Sequence, residues 1–255
     1  MKALQENQLE RRQMMKPTDL AKLAIDAHGG LDHWRQFKTA SAHLINGGVL
    51  WPLKHQQGVL DDVHVRVDLR EERASHWPFG APNLRSSVQP GRVAIETADG
   101  QAVEELLRPR ESFQGHSLET PWNRLQLAYF AGYAMWTYLN TPFLFAMDGV
   151  QTEEVEPWVE NGETWRRLKV TFPPDIPTHS TVQTFYFNAE GLLQRHDYEV
   201  EVSGGTPAAH YVSEHREFSG ILVPTKRRVL GRRADGTSVP DPLVISIDLS
   251  DVEFS

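Results

Sequence analysis

The residues whose types and spacing suit chemistry gather in one hairpin series, Thr181 to Val229. Asn188 to Gly191 and Ser219-Gly220 carry turn chemistry, so Phe187 is expected to face Leu192, and Phe218 to face Ile221. Strand side chains alternate between faces. Gln183, Phe185 and Phe187 then share a face with Gln194, His196, Tyr198, Val200 and Val202. By the same rule His210, Val212, Glu214 and Arg216 lie opposite Val223, Thr225, Arg227 and Val229. Arg195, Asp197, Glu199 and Glu201 fall on the other face, which reads as the solvent side. With the loop around Gly204-Gly205 closing the middle hairpin, His196 meets Glu214 in one register and His215 in the next.

In the first register His196, Tyr198, Glu214 and Arg216 form a polar island on an otherwise apolar concave surface. A histidine beside a glutamate in a poorly hydrated pocket can be tuned as a general acid or base near neutral pH, with Tyr198 as proton donor. These four are the candidate catalytic residues. A structural reading stands beside the catalytic one: Glu214 and Arg216 pair with neighbouring strands because an unpaired buried polar atom costs roughly 1–3 kcal/mol. A slip of one residue turns the island toward solvent. Tyr129, Tyr133 and Trp136, with Phe185 and His210, are candidates for lining a ligand pocket, since amphipathic aromatics offer an apolar wall and a hydrogen bond. The aromatic stripe also reads as core. The loop PPDIPTHS, residues 173–180, holds Asp175 and His179 within reach of each other at a sheet rim, and its prolines also read simply as turn formers.

The elements that must position these residues follow from local patterning. Thr18 can cap a helix through LAKLAIDAH, stopped by Gly29-Gly30, and the short helix LDHWRQFK follows. From about residue 39 the texture becomes β-rich: ASAHLIN, GVLW, and DVHVRVDL with Val63, Val65, Val67 and Leu69 on one face. RVAIET and QAVEELL flank Ala98-Asp99-Gly100, a hairpin signal. PWNRLQLAYFAGYAMWTYLN interrupts the strands as a helix with Pro121 at its first position, and being apolar nearly all round it should be buried. Strands then resume as WRRLKVTF, TVQTFYF, LLQRHDYEVEV, HYVSEHREF, ILVPTKRRVL and PLVISIDLSDVEF.

The chain has 255 residues, 40% hydrophobic and 24% charged, so one globular domain spanning 17–255 after an N-terminal extension, 1–16, is expected. A formal charge of −8 without a dominant basic stripe argues against a nucleic-acid partner. Without cysteine there is no disulfide, thiolate metal site or cysteine nucleophile. No metal is expected either, because His28 and His33 flank the Gly-Gly break and His210 and His215 fall on opposite strand faces. P-loop, GxGxxG, GxSxG and HExxH patterns are absent, so no cofactor is expected. The start lacks the apolar core of a secretory signal, which gives a cytoplasmic expectation. Gln126, Thr137, Asn140, Thr141 and Pro142 interrupt the uncharged stretch Leu125 to Met147, so stable membrane insertion is not expected.

The order of these elements resembles the LolA/LolB-like lipoprotein-carrier superfamily. The resemblance is carried by AKLAIDAHGG, by the central helix before the second run of strands, and by YVSEHREFSGILVPTKRRVL followed by VISIDLSDVEF. It implies a mainly β fold, an antiparallel half-barrel of about eleven strands wrapped around a central helix over an apolar cavity. The fold is also similar to that of the violacein-pathway enzyme, which uses its cavity for cofactor-free chemistry. The functional expectation is a monomer or weak dimer that binds a small hydrophobic or aromatic molecule, with cofactor-free acid/base catalysis of lyase, isomerase or hydrolase type. The alternatives are a non-catalytic carrier or sensor and a protein-docking module.

Overall fold

The computed structural model describes residues 18–255, and the expected N-terminal extension lies outside them. Helix α1 (Asp19–Ala27) starts where Thr18 accepts a hydrogen bond from the Ala21 amide at 3.3 Å. It stops at Gly29 (φ +119°), where a Cβ would come within 2.4 Å of the Gly220 carbonyl oxygen. Helix α2 is Leu31–Trp34 and α3 is Leu50–Leu53. The GVLW segment, expected as a strand, therefore supplies the first turn of α3 instead: Gly48 takes φ +107°, and the Leu50 amide bonds to the Val244 carbonyl outside any ladder.

Strands β1 (Thr39–Gly47), β2 (Asp62–Asp68), β3 (Ala74–Trp77), β4 (Leu84–Gln89), β5 (Arg92–Thr97) and β6 (Ala102–Leu107) form a meander. Helix α4 (Arg124–Asn140) follows, then β7 (Gln151–Glu160), β8 (Glu163–Thr171), β9 (Val182–Phe187), β10 (Leu193–Val200), β11 (Thr206–Phe218), β12 (Ile221–Arg232), the two-residue β13 (Ser238–Val239) and β14 (Ile245–Phe254). All pair antiparallel in one open sheet of order β6-β5-β4-β3-β2-β1-β14-β12-β11-β10-β9-β8-β7, with β13 beside β12. The described residues form fourteen strands rather than about eleven. β3, β4 and β7 escape the sequence reading because their hydrophobic alternation is short or diluted by Ser, Arg and Glu, and β13 escapes it because it has only two residues. The open edges, β6 and β7, carry Glu104, Glu105, Glu153 and Glu154, charges that discourage edge-to-edge association.

The concave face wraps α4, which is buried from Gln126 to Asn140. Pro121 does not start this helix. Asn123 caps it, its side chain accepting from the Gln126 amide at 2.9 Å while Gln126 accepts from the Asn123 amide at 3.0 Å, a reciprocal box that satisfies two otherwise orphaned donors. Gly132 lets the helix close onto β4, since a Cβ there would lie 2.6 Å from a Val88 methyl. No helix among the described residues is long and apolar enough to cross a membrane.

Trp136 is 1% exposed and its indole N–H donates to the Asp68 carbonyl at 2.9 Å. Trp136→Ala should therefore cost about 3–5 kcal/mol, the range for truncating a buried aromatic, in a urea titration. A loss below about 1 kcal/mol would contradict the assignment of this ring to the core.

Candidate functional site

β9, β10, β11 and β12 present His196, Tyr198, Gln183, Phe185, His210 and Arg227 inward, all buried. Tyr133 and Tyr138 come down from α4, and His179 comes from the loop between β8 and β9. The His179 ring bridges two hydroxyls, Tyr133 at Nδ1 (3.3 Å) and Tyr138 at Nε2 (2.8 Å), and Tyr138 continues to the Tyr198 hydroxyl at 3.0 Å. His179 stacks on Tyr198 at 3.9 Å between ring centroids, and His196 stacks on Phe185 at 4.0 Å. His196 Nε2 meets the Gln183 side-chain oxygen at 2.5 Å, so that nitrogen carries the proton and donates. Burial, assisted by the Arg110 charge, holds the His179 imidazole down to about 3. Burial likewise holds His196 and His210 well below the usual histidine range and pushes Tyr138 up to about 12. These groups are neutral at pH 7, and a neutral imidazole between hydroxyls both donates and accepts.

The structure keeps His196, Tyr198, Phe185 and His210 on the concave face, as the alternation implies, but dissolves the four-residue island. β10 ends at Val200, and a 3₁₀ turn (Glu201–Ser203) with left-handed Gly204 returns the chain early, pairing Val200 with Thr206. His196 is therefore opposite His210, not Glu214 or His215. The β11–β12 register is the one expected, with Phe218 opposite Ile221 and Val212 opposite Arg227. Within it Glu214 adopts φ +53° and turns outward, its carboxylate 2.7 Å from Lys226. Arg216 is exposed beside it, 3.4 Å away. Phe187 pairs with Leu193 rather than Leu192, and a bulge between Leu193 and Arg195 then shifts the ladder by one more residue.

Two expectations about surroundings also change. The face carrying Arg195 and Asp197 is not solvent: Arg195 is fully buried, forked onto Asp197 at 2.6 and 2.8 Å and bonded to Glu160 at 2.9 Å. Trp158 and Tyr186 flank its guanidinium, and the Gly236 carbonyl accepts from it at 2.5 Å. Asp175 is exposed whereas His179 is buried at the centre of the hydroxyl chain, so the two do not act together. His179 and Tyr138 are the members sequence reasoning placed elsewhere. Arg227 and Gln183 were legible as inward-facing polar residues among Val223, Val229 and Phe185.

Two apolar cavities lie beside this polar group. One, of ≈ 120 Å³, is walled by Leu50, Leu118, Val200, Pro207, Ala208 and Val229, with Phe130 and Tyr198 at its base. The other, of ≈ 20 Å³, lies between Ala131, Ala134, Met135 and Tyr138 of α4 and Leu44, Ile245 and Ile247 of the sheet. Tyr129, Tyr133 and Trp136 line neither, nor do Phe185 and His210. The helix turns Phe130 and Met135 toward the cavities and Trp136 toward β2.

No known protein family and no curated protein matches the chain in sequence. Its fold matches that of a DUF1329 family protein from Desulfovibrio piger at TM-score 0.54 and 13% identity, over 93% of this chain and 94% of that one. It is also similar to a LolA superfamily protein from Nitrosomonas europaea (TM-score 0.48, 9% identity, 88% and 91% covered). A third is a putative outer membrane lipoprotein-sorting protein domain from Vibrio parahaemolyticus (0.44, 11%, 90% and 93%). The architecture is thus an open antiparallel half-barrel holding a central helix, a fold shared with the DUF1329 family protein.

Proposed function

We propose that the protein binds a small, mostly apolar or aromatic molecule in its half-barrel. The observation that carries this reading is the ≈ 120 Å³ apolar cavity whose base holds Tyr198. A void of that size lined by apolar side chains has lost dispersion contacts that a ligand restores, and engineered cavities only slightly larger take up benzene. Tyr198, whose hydroxyl bonds to Tyr138, is the tyrosine that reaches it, and Ser203 and Thr206 add polar side chains to its wall. Ala208→Leu places three more carbons in this space. It should weaken binding of an apolar fluorescent dye at least about tenfold while leaving the melting temperature unchanged or higher. Undiminished dye affinity in the folded variant would place the ligand elsewhere.

A second reading adds acid/base chemistry, favoured by the continuous path Tyr198–Tyr138–His179–Tyr133 leading away from the cavity. Hydroxyls alternating with a neutral imidazole form a row along which hydrogen-bonded protons can shift, with the Arg110–Glu201 ion pair at its far end. Glu214 and Arg216 have no part in it.

A further inference from the structure

The sheet holds two fully buried arginines and treats them in opposite ways. Arg195 on the convex side has two carboxylates, Asp197 and Glu160, within 3 Å. Arg227 on the concave side is 2% exposed and has no carboxylate within ion-pair distance among the described residues. Its contacts are one hydrogen bond from Nη2 to the Tyr138 carbonyl at 3.2 Å and the Tyr138 ring 5.0 Å from its guanidinium carbon. Its Nε–H has no acceptor. A buried unpaired cation is among the costliest things a fold can contain, and its retention calls for a counter-charge.

The groups around it are short of partners too. Both ring nitrogens of His210 are buried without a hydrogen bond, as are Nε2 of His28 and Nε2 of His215. All three rings feel the Arg227 charge. His28 donates from Nδ1 to the Ala24 carbonyl at 2.8 Å, so its Nε2 presents a lone pair, while His210 is free to present an N–H. His210 sits 4.6 Å from Tyr138 between ring centroids and 5.9 Å from His196. Burial lowers Arg227 only to about 10, so it stays charged at neutral pH.

Arg227 and His210 line neither cavity but neighbour residues that do. Arg227 is two residues from Val229 on the inner face of β12 and opposite Ile247 of β14. Val229 walls the ≈ 120 Å³ cavity, and Ile247 and Tyr138 wall the smaller one. Building on the proposed ligand-binding role, we infer that the bound molecule carries an acid group, a carboxylate or similar oxyanion, that docks on the Arg227 guanidinium and the His210 ring. Nε–H of Arg227 donates to one oxygen and the His210 N–H to another, charge-assisted bonds roughly twice as strong as neutral ones. The apolar body of the ligand then lies against Val229 and Ile245. The ligand class is a small amphipathic acid.

The test is calorimetric titration of the described protein, full chain, at pH 7.5 with octanoate, octanol and methyl octanoate. Octanoate should bind at least about tenfold more tightly than the alcohol or the ester. In Arg227→Met that preference should vanish, with octanol binding changed less than about twofold. His210→Phe, which keeps the ring volume, should cut octanoate affinity alone and carries the test if Arg227→Met does not fold. Equal affinity for acid and alcohol in the unmodified protein, or an acid preference surviving both substitutions, overturns the inference while leaving the binding role standing. Failure of all three compounds to bind overturns the binding role and the inference with it.

Discussion

Lowering the pH from 7 to 5 should unfold the protein. Five imidazoles are buried in neutral form: His28 and His76 held down to about 4, His179 to about 3, and His196 and His210 well below the usual range, each chiefly by burial. A folded-state value below the unfolded one means that the unfolded chain binds the proton first. Their contribution is therefore complete above about pH 6.5 and drains away as the pH falls toward 4 and 3. By pH 5 His28, His76 and His179 have each given up about 2 kcal/mol, roughly 6 kcal/mol together, and His196 and His210 lose stability in the same direction, so the total is comparable with the whole stability of an ordinary domain. Glu72 works the other way. Its buried carboxyl is pushed up to about 9, so its contribution is present below the usual carboxylate range and lost as the pH rises, and acidification recovers part of it. One group does not offset five. Circular dichroism against pH is expected to show a cooperative transition between about pH 6 and 4.5. A native spectrum unchanged at pH 4 would mean that these rings reach water or protonate in place.

The same imidazoles show what could be read from the sequence. Their facing was legible where a short turn fixed the register: Ser219-Gly220 sets Phe218 against Ile221, and alternation then sends His210, Arg227 and Val229 inward. It was legible too for His196 and Tyr198, because the bulge in β10 and the error at the Asn188–Gly191 turn cancel in parity. Their partners were not legible. The 3₁₀ turn Glu201–Ser203 shortens the middle hairpin and replaces Glu214 with His210 opposite His196. The left-handed backbone at Glu214 has no sequence signal, since glycine or asparagine usually marks such positions. His179 was hidden for a different reason. It acts from a proline-shaped loop, whose path over the sheet is set by tertiary contacts such as the Arg110 bond to the Thr178 carbonyl at 3.0 Å rather than by periodicity.

The convex face supplies the sharpest disagreement with patterning and the second large expected effect. Alternating Arg195, Asp197 and Glu199 look like a solvated strand face, yet Trp158 of β7, Tyr186 of β9 and the turn at Gly236 cover the first two. Tyr186 donates to Asp197 at 2.8 Å and Tyr211 to Glu160 at 2.6 Å, so the carboxylates are bonded on both sides. Removing only the cation strands Asp197 in a dry site with Arg232 at 3.6 Å as its remaining counter-charge. Arg195→Met is therefore expected to cost about 3–5 kcal/mol in a urea titration, while Arg195→Met with Asp197→Leu should recover much of that loss, because a buried pair replaced as a unit is often near neutral. A single-variant loss under about 1 kcal/mol, or a double variant as unstable as the sum of its parts, would show that water reaches the cluster. Arg227→Met is the internal comparison. It removes an equally buried cation that has no carboxylate to strand, so without ligand it should cost clearly less than Arg195→Met, and the difference between the two measures how far each charge is matched from within the chain.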